Sequence, residues 1–267
     1  MGKINILIIL FLLASITGLS QKNQNVNQFD EEGQKHGLWI KKYSNGQIQY
    51  KGEFNHGKPT GKFKRYFPNG NLMAIMQHRS EGEVYATLFN KEGKKRAEGK
   101  YINKKKDSTW VFYDPQGNII LKEKFDMGKR NGRSVRLYSN GDTAQIVVYR
   151  DGEKHGIFKQ FFPNGNLKLL ARYQNDELDG YVTIFAPNGF KEIEGLYRNN
   201  LRQGEWVYYE NATDTAQVLE YKNGEPLNKD SLEQEESREI IRLENNEGKF
   251  GDPRDELVPS RRKNRRY

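Results

Sequence analysis

From Ile48 to Phe54 the chain alternates strictly. Ile48, Tyr50, Gly52 and Phe54 fall on one side, and Gln49, Lys51 and Glu53 on the other. Leu167, Leu169, Ala171 and Tyr173 repeat the pattern against Lys168, Leu170 and Arg172. A period of two with one apolar side predicts a half-buried strand. Upstream of such stretches stands a glycine, or Ser108 in one case, followed by spaced aromatics: Trp39 and Tyr43, Phe63 and Tyr66, Trp110 and Tyr113, Trp206 and Tyr209. This second apolar series predicts a partner strand. Between the two lie YSNG, FPNG, NKEG, DPQG, YSNG, FPNG and APNG. Proline presets φ for a type I turn, and the closing glycine accepts a left-handed backbone. The unit is therefore a hairpin with a three-residue loop and a glycine bulge.

The hairpin recurs. Its turn glycines are Gly46, Gly70, Gly93, Gly117, Gly141, Gly165 and Gly189, spaced 24, 23, 24, 24, 24 and 24 residues apart. Nine residues before them stand Gly37, Gly61, Val84, Ser108, Gly132, Gly156 and Gly180. Eight residues after them stand Phe54, His78, Tyr101, Phe125, Tyr149, Tyr173 and Tyr197. An eighth unit runs from Gly204 to Tyr221, with NATD in place of the turn. A lone hairpin is unstable in water, so neighbouring units must supply the core. The expected fold is all-β: an elongated, single-layer antiparallel ribbon of about eight stacked hairpins over residues 36–224. Its terminal aromatics form a ladder on one face. Irregularity is expected in the third unit, where Val84 and Ala86 replace the glycine and the aromatic, and in the fourth, which has Ser108.

Segments such as YKGEFNHGKPTGKFKRYFPNGNL (50–72) and YRDGEKHGIFKQFFPNGNL (149–167) resemble MORN repeats. They are most similar to the MORN variant of YwqK-type, antitoxin-labelled proteins. That resemblance implies a scaffold, a membrane-proximal module or a partner-binding surface.

Composition adds an address. Residues 1–20 read MGKINILIILFLLASITGLS: a lysine, an apolar run shorter than a bilayer span, then small residues before Gln21. This pattern predicts a cleaved export signal, a secreted or periplasmic protein, and no membrane span after cleavage. The chain has no cysteine, which excludes a disulfide framework and thiolate chemistry. Residues 21–35 read as a flanking segment. Residues 21–224 hold 33 basic and 24 acidic side chains, a mild bias towards an acidic protein or envelope partner. Beyond the repeats, 225–248 is predicted to contain a helix capping the last hairpin, and 249–267 a basic, disordered tail. Nucleic acid is not an expected partner of an exported chain.

No catalytic constellation is visible. G-x-S-x-G, HExxH, EF-hand and phosphate loops are all absent. His36 and His155 occupy a slot that elsewhere holds Thr60, Asn131, Asp179 or Gln203, as suits a turn surface. No catalytic residue, cofactor or metal is expected. Basic and aromatic residues interleaved on the first strands are the candidate binding surface: Tyr43, Arg65, Phe67, Arg136, Tyr138 and Phe162. The expected function is an exported, non-catalytic repeat protein offering an extended surface to a protein or envelope partner. The alternatives are a toxin-binding antitoxin or immunity protein, and an envelope enzyme acting on glycan or peptide.

Overall fold

The computed structural model describes residues 25–80, 82–210 and 215–227. These residues form nineteen strands and no helix. Strands adjacent in the chain pair antiparallel, from Gln28–Phe29 on Lys35–Lys42 to Thr215–Lys222 on Glu225–Pro226. The result is the open sheet of stacked hairpins that the alternation predicts. The array extends at both ends beyond 36–224. Glu225–Pro226 adds a short strand, and the flank before Lys35 folds onto the first edge. There Trp39 Nε1 donates to the carbonyl of Gln28 at 3.0 Å, and Phe29 meets the Trp39 ring edge-on. Asp30 is held in place too: its carboxylate accepts from the backbone N–H groups of Glu32 and Gln34 and lies 2.9 Å from His56 Nδ1. The export signal, the C-terminal helix and the basic tail lie outside the described residues.

Both turns of each unit follow from local chemistry. At the first, Tyr43 N donates to Gln47 O, Gly46 N donates to Tyr43 O, and Gly46 has φ 84°. This is the predicted three-residue loop, and it recurs in register down the array. The second is tighter. Residues such as His56 and Gly57, or Asn175 and Asp176, have successive positive φ values, as a two-residue type I′ turn requires.

The turns are also stitched to one another. Asn45 Nδ2 donates to Pro68 O, Asn69 Nδ2 to Lys91 O and Asn164 Nδ2 to Pro187 O, each one unit ahead. Tyr43 and Tyr138 donate their hydroxyls to the carbonyls of Tyr66 and Phe161 in the same way. Asn69→Ala removes one such stitch and its local bond to Asn71 N. The expected loss is about 1 kcal/mol, read as a shift in the urea midpoint without a change in slope.

Most first strands bend near their leading residue, usually a glycine. Between Lys51↔Lys64 and Glu53↔Thr60 the pairing skips two extra residues, and Gly61 has φ 58°. The same two-residue bulge recurs at the fourth to eighth units. Such a bulge bends and twists the strand. It folds the next ring, at Phe63, Trp110, Phe158 or Trp206, over the inner face. Ser108 takes φ 58° and keeps the bulge, so the fourth unit is regular despite its sequence. The third unit is not. β-Branched Val84 is poorly suited to a left-handed backbone, and pairing runs without this bulge from Ala74↔Leu88 to His78↔Val84.

The inner face is packed by size compensation across neighbouring units. The Phe63 ring covers Gly52, Trp110 covers Gly99 and Trp206 covers Gly195; a Cβ on these glycines would lie 2.1, 2.4 and 2.2 Å from the rings. Where the ring is lost, the opposing slot is larger: Met76 pairs with Ala86, and Glu123 with Ser134. Intermediate sizes meet at Val147 and Phe158.

Candidate binding groove

A cationic side chain two residues before the bend position lies over the inner rings. Lys35 Nζ is 4.6 Å from the Trp39 centroid, and Lys106 Nζ is 4.6 Å from Trp110. The Arg130 guanidinium is 4.0 Å from Tyr149, Lys154 Nζ is 4.5 Å from Tyr173, and the Arg202 guanidinium is 4.6 Å from Trp206. These five cations form a column that caps the ring ladder and shields its edge from water, with favourable cation–π attraction. In the second, third and seventh units the column is interrupted. The corresponding positions are Pro59, Gly82 and Leu178.

In the third unit alone the interruption coincides with the missing bulge and the missing ring. A groove of about 1660 Å³ opens across the second to fourth units. Its floor includes Met76, Val84, Ala86 and Leu88, and Tyr101 and Phe89 stand in its walls. Around it lie Lys58, Arg65, Arg79, Lys91, Arg96 and Lys104, against a single acidic lining residue, Glu92. An apolar floor inside a basic border is complementary in character to an apolar group flanked by negative charge.

His78 also lines the groove. It takes the place of the ladder aromatic and meets Phe63 edge-on at 6.1 Å. Its Nε2 is buried and makes no hydrogen bond. Burial holds its pKa below the ordinary histidine value of 6.5. The folded state therefore binds this proton less readily than the unfolded chain. Stability is full above about pH 6.5 and declines as the pH falls towards the lower folded value. His78→Phe restores the ladder residue. It is expected to remove that decline, so that variant and parent denaturation midpoints diverge as the pH is lowered from 7 to 5.

The six sequence-selected surface residues are not one site. Arg65 and Phe67 line the groove. Tyr43 and Tyr138 use their hydroxyls to join adjacent units. Arg136 lies opposite Leu121 and Gln145 on the inner face, and Phe162 sits at a first turn with Lys168 Nζ 5.6 Å from its ring. The turn glycines Gly46, Gly70, Gly93, Gly117, Gly141, Gly165 and Gly189 all have positive φ and serve the turns. Sequence reasoning missed Met76, His78 and Leu88 as groove residues. The visible signal was the coincidence, in one unit, of Gly82, Val84 and Ala86 where most other units carry a cation, a glycine and a ring. Among the described residues, no group of three or more His, Asp or Glu side chains could hold a metal ion. None forms a helix long and apolar enough to cross a membrane.

Three segments, 35–56, 59–79 and 154–175, match the MORN repeat variant. These three segments are thus repeats of the MORN-variant type, set in an extended array of hairpins compatible with a binding role. Among solved structures, TarM is matched at 15% identity and a TM-score of 0.27, over 36% of this chain and 18% of that one. A TcdB2-TccC3-Cdc42 structure is matched at 10% identity and a TM-score of 0.18, over 72% of this chain and 13% of that one. The chain spans less than a fifth of the length of either.

Proposed function

We propose that this MORN-variant array is an exported, non-catalytic scaffold that holds a segment of a protein partner in the groove over its third unit. The segment carries an apolar anchor flanked by acidic residues. The observation that carries this reading is the joint loss of bend, ring and capping cation at one place. The loss leaves half-buried Met76 and Leu88, with buried Ala86 between them, lining a groove within a basic border. The export part rests on the leader-like residues 1–20.

The test is capture from an envelope extract of the parent cell by two forms of the protein. One is the parent. The other carries Met76→Gly with Ala86→Trp, which rebuilds the glycine–tryptophan pairing seen at Gly99 and Trp110. A partner retained by the parent and lost by the filled form is expected, with capture weakening as salt rises. Equal capture by both forms sinks the groove reading. N-terminal sequencing of the mature protein should begin at Gln21; an intact Met1 would remove the export part.

A further inference from the structure

We infer that the groove is filled by residues 230–247 of a second copy of this chain, joining copies head to tail. This deepens the groove reading and rests on it. Two observations converge. Residues 230–247 read DSLEQEESREIIRLENNE, with seven acidic side chains against Arg238 and Arg242, and with Leu232, Ile240, Ile241 and Leu243 as apolar points. That is the charge and hydrophobic character complementary to the groove, whose lining has six basic residues, one acidic residue and an apolar floor.

The second observation is reach. The described chain ends at Leu227, beyond the last strand, while the groove centres on Glu83–Phe89. Twelve strand spacings separate Glu83–Phe89 from Glu225–Pro226, because Glu177–Leu178 and Gly180–Phe185 both pair with Leu167–Gln174; this is about 58 Å along the sheet at ~4.8 Å each. The thirteen residues from Leu227 to Ile240 span at most about 45 Å when fully extended. The segment therefore reaches the groove of a neighbour more readily than its own. The contact joins different surfaces of the two copies, so it propagates into a chain or closes into a ring.

Sedimentation velocity on the full chain, purified after processing by the producing cell, tests this. The weight-average mass should rise with protein concentration and fall back towards that of the monomer at high salt. Reversing the segment, with Glu233→Lys, Glu235→Lys and Glu236→Lys, should weaken association by at least about tenfold. Filling the groove, with Met76→Gly and Ala86→Trp, should do the same. Mixing the two variants should restore a one-to-one pair, because one keeps the groove and the other keeps the segment. If the filled form loses its β-sheet circular dichroism, Lys91→Glu with Lys104→Glu replaces it.

A monomer at every concentration overturns the inference. So does association that survives groove filling, which would place the segment elsewhere, or a mixture that fails to pair. Loss of self-association with groove-dependent capture of another protein intact would overturn this inference alone. Capture insensitive to filling would instead overturn the groove reading beneath it.

Discussion

Gly195→Ala is expected to lower the stability of the array by about 3 kcal/mol, at the upper end of ordinary overpacking. The backbone there is not the cause, since Gly195 lacks the positive φ of the turn glycines. The obstacle is the indole of Trp206, whose Cδ2 would lie 2.2 Å from the added methyl. That ring has no room to retreat. Trp206 is fully buried, with Tyr197 edge-on at 5.1 Å, Tyr221 at 6.0 Å and the Arg202 guanidinium 4.6 Å above it. Gly93→Ala is the contrast. Its Cβ would meet nothing within 4 Å, but φ is +82°, so only backbone strain of about 1 kcal/mol is expected. The chain already contains a solution to the clash. Ala171 and Val182, both buried, occupy the glycine and ring positions between the sixth and seventh units. Adding Trp206→Val to Gly195→Ala should therefore cost less than the sum of the two single changes, by about 1–2 kcal/mol in a urea double-mutant cycle. Strict additivity would show that the ring and the glycine are not packed as a pair.

The hairpins, their register and the first turn were legible because each depends on local chemistry. Alternation, proline and glycine specify those features within one unit. The two-residue bulge at Gly61 and its counterparts was not legible, because it is a property of pairing between units. For the same reason Ser108 and Val84 looked equally irregular in sequence. A serine tolerates φ 58°, whereas the β-branched valine leaves its strand without the bulge. The cation column was written in the sequence as a basic residue two places before the bend: Lys35, Lys106, Arg130, Lys154 and Arg202. Its meaning needed the ring positions. Tyr43 and Tyr138 were selected as surface groups for their exposed, basic surroundings, yet their hydroxyls are spent on neighbouring carbonyls. The groove emerged only when three separate columns failed together at the third unit.

The same columns divide the core, and this sets the expected result of Trp110→Ala. Trp110 is fully buried, meets Tyr101 edge-on at 4.8 Å and donates from Nε1 to the Lys100 carbonyl at 2.9 Å. Truncation leaves a large cavity and that carbonyl without its side-chain donor, so a loss of about 3–5 kcal/mol is expected. The loss should not be shared evenly. Trp110 belongs to a cluster running from Ala86 to Phe125, and a separate cluster runs from Val147 to Tyr221. Between them the glycine and ring positions hold Glu123 and Ser134, a polar pair 3.5 Å apart. In a quasi-one-dimensional array each unit is held by its neighbours, so a defect spreads until a weak junction absorbs it. Hydrogen exchange should show lost protection in Lys95–Ile102, Lys105–Tyr113 and Ile119–Asp126. Protection in Leu201–Tyr209 should be unchanged. Equal loss in both regions would mean that the Glu123–Ser134 junction transmits stability as well as a packed ring does. The third unit lies on the weakened side of that junction. Destabilisation there would loosen the groove while leaving the far repeats intact.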